Sequence, residues 1–501
     1  MTFYSAALEG FLVTFSFPYV LYSIAGTLIG LFFGILPGLG QVTAMALLLS
    51  FTFGWDLVPI ILLFAAIQGG GSQGGAITSI LVNIPGTAPN AATILDGYPM
   101  SQRGEAKTAI GASASASGLG TLFGVGVLIL LIPVMRELVV AFGPPEFLML
   151  ALVGLTVIAT VSESNFVKGM AAGGLGLMIS FFGEDPMTGT PRFSFGMPYL
   201  WDGISLVPVF LGVFAVAEMI DLALSKRRTI SGLETLEALT GNVWTGVLSI
   251  FRHFFLFIRS SLIGTVIGLI PGIGGTVAGF VAYGQAVQTA KDPESFGKGD
   301  IRGVIAPEAS NDAKDGGALV PTVAFGIPGS EGMALLLVAM TLHGIVPGKE
   351  LMVDHLDKLF ILIWSLILSN VLSSLIAILI VDLLAYVTVI RTQVVVPAIF
   401  ILSLIGAYAY QFQNGDVVTA FLFGIVGYYM KKHAYPRISL VIALVLGGLV
   451  ESSFHQTVQL QTLGRIQFFT RPITLVLIGV MILVITLAVL GARKKDIEEN
   501  K

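Results

Sequence analysis

The sequence contains no cysteine. That excludes disulfides, thiolate metal sites and cysteine nucleophiles, and it leaves the compartment open. Charge is scarce too: 11% of the 501 residues are Asp, Glu, Lys or Arg, and no Lys or Arg occurs before Arg103. The N-terminus therefore lacks the basic start of a signal peptide, and with no small-residue cleavage site the first helix is expected to be retained. His253, His343, His355, His433 and His455 fall at no ligand spacing, so no transition-metal site is expected. No Ser, His and Asp set shares one motif, which argues against an intramembrane enzyme. The net charge of −4 by itself says nothing about partners, and no nucleic-acid partner is expected.

What is abundant is apolar surface. Hydrophobic residues make up 55% of the chain and the mean hydropathy is +0.90, values that belong to an integral membrane protein. Apolar runs suited to a bilayer core of about 30 Å occur at 20–36, 58–67, 121–134, 147–161, 169–182, 204–224, 262–270, 359–381, 394–408, 417–429, 439–450 and 473–490. The expected fold is an all-α polytopic membrane protein with about 11–12 transmembrane helices. Basic clusters at Lys226, Arg227 and Arg228 and at Arg493, Lys494 and Lys495 mark cytoplasmic segments, which puts the C-terminus inside and the base-free N-terminus outside.

An internal repeat organises the chain. "GILPGLG" (34–40) matches "GLIPGIG" (268–274), and "GGAITSILVNIPGT" (74–87) matches "GGALVPTVAFGIPGS" (316–330). Pro271 follows Pro37 by 234 positions and Pro328 follows Pro85 by 243. Weaker pairs, Pro186 with Pro436 and Glu218 with Glu451, come in the same order. The chain thus divides into a first membrane repeat (1–225), a polar linker (226–244), a second repeat (245–465) and an extra C-terminal helix with a basic tail (466–501). Cytoplasmic positions for both linker and C-terminus make the repeats inverted, the alternative being a parallel duplication with an even number of crossings.

Repeats with paired Gly/Pro breaks point to a transporter binding site at those breaks. In 69–99 the glycines from Gly69 to Gly75 are expected to interrupt the helix, 76–84 to form a short one, and Pro85-Gly86 to end it. A second short helix is expected over 89–95, with Thr87 as its cap and Pro89 in its first turn. This describes a helical hairpin whose tip offers N–H groups to a carboxylate and carbonyls to a cation. The candidate substrate-binding residues are Asn83, Pro85, Gly86, Thr87 and Asn90 in the first tip and Pro328, Gly329 and Ser330 in the second. Each polar residue among them has the alternative role of capping freed backbone.

Ser72, Gln73, Asn311 and Asp312 are candidates for binding a cation or for capping. Glu308, Asn311, Asp312, Lys314 and Asp315 crowd one short stretch, which reads either as intramembrane or as a solvated loop continuous with 291–303. Gly34, Pro37, Gly38 and Gly40, with Gly268, Pro271, Gly272 and Gly274, are structural breaks rather than nucleotide loops, since no Walker lysine follows them.

The motifs "GILPGLG", "GGAITSILVNIPGT", "LDGYP", "PEASNDA", "GGALVPTVAFGIPGS" and "HGIVPG" together resemble the large membrane subunit of the tripartite tricarboxylate transporters, the TctA family, from about 20 to 465. The resemblance implies a carrier of small carboxylates (the di- and tricarboxylate class) in the bacterial inner membrane, driven by Na+ or H+. It implies two partners, a small four-helix membrane subunit and a periplasmic solute-binding protein. Gln68 and Ser72-Gln73 stand where members often carry Tyr, Thr87 where an acidic residue often follows Pro-Gly, and Asp312 in place of the second residue of an Asn pair. These departures flank the proposed site and leave a substrate other than citrate open. The rival class is an ion channel whose Gly-rich re-entrant segments form a filter.

Overall fold

A computed structural model describes residues 2–36, 38–161, 166–185, 187–224, 240–272, 274–387 and 392–499. Pro37, Pro186 and most of the linker, 225–239, lie outside the described residues, so the readings placed on them carry no structural account here. The first half runs through α1 (Phe3–Phe15), α2 (Tyr19–Ile35), α3 (Gly40–Phe51), α4 (Leu57–Val82), α5 (Ile94–Gln102), α6 (Ala106–Ala141), α7 (Pro144–Val161), α8 (Phe166–Ser180) and α9 (Leu206–Leu224). A two-stranded ribbon, Gly183–Glu184 with Pro191–Arg192, precedes α9. The second half runs through α10 (Val243–Arg252), α11 (Phe254–Gly268), α12 (Gly274–Thr289), α13 (Arg302–Phe325), α14 (Glu331–Leu342), α15 (Leu356–Leu379), α16 (Val381–Val387), α17 (Thr392–Gln411), α18 (Asn414–Lys432) and α19 (Arg437–Thr462). The last helix is α20 (Pro472–Glu499).

The protein is an all-α polytopic membrane protein. Among the described residues, six helices are long and apolar enough to cross a bilayer, and two bent pairs, α1 with α2 (71°) and α10 with α11 (82°), bring the count to eight. The remainder of the expected 11–12 crossings has to be drawn from the shorter apolar helices α3, α7, α8, α14 and α20. Large apolar side chains such as Leu130, Val167, Phe255 and Leu379 point outward, where lipid rather than water is the solvent.

Helices before the linker and after it pack on one another in exchanged pairs. Helix α6 packs on α13 while α15 packs on α4; α10 packs on α6 while α1 packs on α15. Likewise α8 lies on α19 and α18 on α9. The exchange extends to charges: Arg192, before α9, pairs with Glu451 of α19 (2.5 Å), and Arg437, at the start of α19, pairs with Glu218 of α9 (2.9 Å).

Glycine sets the closest contacts. Gly26, Gly30 and Gly34 recur every fourth residue on α2 and meet the backbone of α4 at Leu63, Ile67 and Gly71, where a Cβ would collide. Gly264 and Gly268 of α11 meet Ser310 and Lys314 of α13 in the same way. Small residues at this spacing let helices approach to backbone contact, the main source of helix association where no hydrophobic effect operates. On the other side of α4, Ser365 and Ser369 of α15 donate to the carbonyls of Leu62 (2.8 Å) and Ala66 (2.6 Å).

One expectation is corrected. Gly69 to Gly75 do not interrupt a helix; α4 is continuous from Leu57 to Val82. Five glycines there cost about 1 kcal/mol each against alanine. Unwinding them in a buried, water-free setting would leave backbone groups unpaired at several kcal/mol apiece, so the helix wins. The glycines also seat neighbours: Gly70 lies on Thr27 and Leu31, Gly71 on Gln41, and Gly74 on Leu31 and Ile35.

Candidate functional site

Each half is broken at two corresponding places, and the breaks converge on one cavity of about 550 Å³. At the Pro-Gly-x-Gly turns, Gly38, Gly40, Gly272 and Gly274 all have positive φ (86°, 62°, 78° and 73°), a conformation open to glycine at no steric cost. These turns end α2 and α11 and start α3 and α12. At the second pair of breaks, α4 ends on Asn83 in the left-handed conformation (φ 58°) and α13 ends on Gly326 (φ 67°). The chain then turns through Pro85-Gly86-Thr87 and Pro328-Gly329-Ser330 into new helical segments. Gly272 N–H donates to the Gly329 carbonyl (3.2 Å), tying turn to tip in the second half.

The cavity is lined by four helical starts. They are Gly40–Thr43 of α3, Thr87–Pro89 leading the 3-10 turn Ala88–Ala91, Gly274–Thr276 of α12, and Ser330–Gly332 of α14. The positive ends of the α3, α12 and α14 dipoles therefore lie at one space, which favours an anion. Ser330 Oγ caps α14 by accepting from Met333 N–H (3.4 Å).

Lys314 brings an ammonium to the cavity wall, ion-paired with Asp315. Its Nζ lies 2.5 Å from Asp315 Oδ1, and the two side chains are 5% and 1% exposed. Gln68 Nε2 donates to the same carboxylate at 3.3 and 3.4 Å. The opposite wall comes from the second bundle: Phe214 and Glu218 of α9, Lys431 of α18 and Arg437 of α19. Glu218 joins Lys431 (2.6 Å) and Arg437 (2.9 Å) there, and Lys431 also reaches Asp221 (2.8 Å).

The sequence-selected residues fall into three groups. Pro85, Gly86, Thr87 and Ser330 line the cavity, as do Gly38, Gly40, Gly272 and Gly274 of the turns. Pro328 and Gly329 are buried behind Ser330. Asn90 is fully buried behind Thr87, taking the Thr87 hydroxyl on Oδ1 and donating from Nδ2 to Glu308 Oε1 (3.1 Å). Ser72, Gln73, Asn311 and Asp312 are buried outside the cavity lining, with Asn311 Nδ2 donating to Ser72 Oγ (2.9 Å). Gly34 and Gly268 are packing contacts, and Pro271 is a turn residue between α11 and α12.

Three local expectations change. Asn83 is exposed and off the cavity, because a left-handed residue ending α4 turns its side chain away from the tip. Thr87 does not cap through its side chain; its hydroxyl donates to Asn90 instead. The helix expected over 89–95 is a 3-10 turn followed by α5 from Ile94.

The charged stretch 308–315 is not a solvated loop. It lies in the middle of α13 with every residue buried. Among the cavity residues that the sequence reading did not select are Gln41, Thr43, Gln68, Lys314, Lys431 and Arg437. The helical signal for Lys314 was present, since 308, 312 and 315 recur at helical spacing. Gly69–Gly75, being helical, presents no ring of free carbonyls of the kind a channel filter uses.

Away from the cavity, Asp185, Glu451 and His455 bring ligand atoms within 4.8 Å of one another. Arg192 sits among them, 3.3 Å from Asp185 and 2.5 Å from Glu451, so a cation already neutralises the group and no metal is assigned.

Comparison with known proteins matches residues 20–442 to the family described as "Tripartite tricarboxylate transporter TctA family". A relative from Agrobacterium vitis, described as "Uncharacterized 52.8 kDa protein in TAR-I ttuC' 3'region", is 29% identical over 471 residues, covering 94% of this chain and 93% of that protein. A second, "Uncharacterized protein in TAR-II ttuC' 3'region" from the same organism, is 30% identical over 227 residues, covering 45% of this chain and 94% of that protein. No solved structure matches.

Proposed function

The chain belongs to the TctA family of tripartite tricarboxylate transporters, and on that premise we propose that it is the carrier through which a small di- or tricarboxylate enters the cell. It is a component of such a transporter and a multi-pass membrane protein. In our reading it sits in the bacterial inner membrane with the N-terminus periplasmic and the C-terminus cytoplasmic. A periplasmic solute-binding protein delivers substrate, and a small membrane subunit completes the complex.

One observation carries this reading: four helical starts and Lys314 face a single cavity of about 550 Å³. Dipole ends, the Lys314 and Lys431 ammonium groups and the Arg437 guanidinium suit a compact anion with two or three carboxylates, and they leave specificity to hydroxyls and amides such as Thr43, Thr87, Ser330 and Gln41. A Na+ or H+ gradient supplies the driving force.

The cavity lies between a core holding α2–α6 and α11–α15 and a bundle of α7–α9 and α17–α19. Transport is then movement of the core against that bundle, carrying the tips from one side to the other.

The test is binding of a panel of mono-, di- and tricarboxylates to the purified full chain, with and without Na+, followed by counterflow in vesicles. Saturable exchange of labelled di- or tricarboxylate is the expected result. Unsaturable flux without exchange would replace the carrier by a channel.

A further inference from the structure

Helix α13 carries three buried carboxylates along one stripe, Glu308, Asp312 and Asp315, and one buried ammonium, Lys314. Two of the three are well provided for. Asp315 has Lys314 and Gln68. Glu308 receives four donors: Asn90 Nδ2 (3.1 Å) and the Thr93 hydroxyl on Oε1, and Ser113 (3.3 Å) and Ser117 (3.2 Å) on Oε2.

Asp312 differs. It is 0% exposed, and neither carboxylate oxygen has a hydrogen-bond partner of acceptable geometry. The hydroxyls of Ser72 on α4 and Ser117 on α6 lie beside it, with the carboxylates of Glu308 and Asp315 also near. Gln73 and Thr121, on the same two helices, are buried with unpartnered side-chain atoms. A lone carboxylate cannot stay charged in such surroundings without a positive charge at hand.

We propose that Asp312 is the seat of the cation whose binding is coupled to that of the carboxylate, and that Ser117, Glu308 and Asn90 transmit its occupancy to the cavity. The word "coupled" rests on the carrier reading above; the cation site itself does not. Ser117 has one hydroxyl proton to give. With the site empty, the bare Asp312 carboxylate competes for it. With a cation on Asp312 the Ser117 hydroxyl donates its hydrogen bond to Glu308 alone, whose other oxygen holds Asn90 and Thr93 of the first hairpin. Asn90 in turn fixes the Thr87 hydroxyl at the cavity wall. The charged groups around Asp312 are those of its own helix, Glu308, Lys314 and Asp315; α4, α6 and the hairpin contribute the neutral side chains Ser72, Gln73, Asn90, Thr93, Ser113, Ser117 and Thr121.

Na+ and a proton satisfy the same requirement, and the experiment separates them. Thermal unfolding of the purified full chain, with no carboxylate present, is followed in sodium against choline chloride at fixed pH, and in choline alone from about pH 8 down to about pH 5. The wild type is expected to gain stability with Na+ or with acid, which identifies the ion, and Asp312→Asn is expected to lose that gain. A wild type that responds to neither, or an Asp312→Asn protein that keeps the response, overturns the proposal.

Ser117→Ala tests the link without touching the carboxylate. It keeps the cation's effect on stability, but the cation-induced rise in carboxylate affinity, about tenfold in the wild type, falls toward none. An unchanged rise in Ser117→Ala overturns the relay. If the cation response is present but no carboxylate binds under any condition, the carrier reading fails while the cation site stands.

Discussion

Replacing Lys314 tests the anion site most directly, provided its two effects are separated. Lys314→Gln removes the ammonium facing the cavity and also strands Asp315, which is 1% exposed and otherwise held only by Gln68 at 3.3 and 3.4 Å. Breaking a buried ion pair by deleting one partner costs about 3 to 5 kcal/mol. The Gln68 amide offsets part of this, so a loss near the lower end is expected.

The double variant Lys314→Gln with Asp315→Asn removes both charges and leaves two amides that can pair, so most of the stability should return. Carboxylate affinity should not return. One charge-assisted hydrogen bond is worth about 1.5 to 3 kcal/mol, and at 1.4 kcal/mol per decade this is a loss of about 10- to 100-fold in Kd. Thermal unfolding and calorimetric titration with the best ligand of the panel give both quantities on the same samples. A double variant that binds the carboxylate with wild-type Kd would refute the reasoning, because Lys314 would then contribute nothing to holding the anion.

Two more predictions concern the scaffold. Gly34→Leu places a side chain against the Gly71 backbone, where no flexible atom can yield, and should lower stability by about 1 to 3 kcal/mol or more; Gly126→Ala, with open space around it in α6, is the control and should hold or raise the melting temperature, never lower it. Because the chain has no cysteine, Asp56→Cys and Lys298→Cys, both at exposed positions between corresponding helices, can be labelled one at a time with a membrane-impermeant maleimide. Inverted repeats require labelling from opposite faces of the membrane; labelling from the same face would make the duplication parallel.

Much of the architecture was legible in the sequence because it depends on residue types that act locally. Proline and glycine break helices wherever they stand together, so the two Pro-Gly-x-Gly turns and the two hairpin tips could be located without knowing their neighbours. Ser330 could be named as a cap for the same reason. The glycines of α2 at 26, 30 and 34 and of α11 at 264 and 268 also carried a readable message, the four-residue spacing of close helix contact, which the reading by breaks alone passed over.

The run Gly69–Gly75 shows where local reasoning fails. Intrinsic propensity argues for a break, yet the unpaired backbone that a break would leave, together with the seats these glycines offer to Thr27, Leu31 and Gln41, decides for a helix. The 308–315 stretch fails in the opposite direction. Its charge density suggests water, but neutral donors from α4, α6 and the first hairpin surround Glu308 and Asp312, and Lys314 turns toward Asp315 and the cavity.

By itself the sequence determined the solvent, the places where the chain breaks and the family. These follow from composition, repetition and short motifs, all of which are properties of the chain alone. Only the tertiary structure decided that the four breaks meet at one cavity, that Lys314 faces it while Asn83 does not, and that Asp312 is left without a partner. In a helix buried on every side, apolar periodicity no longer distinguishes one face from another. Which side chain lines the cavity is then fixed by how the helices pack on one another.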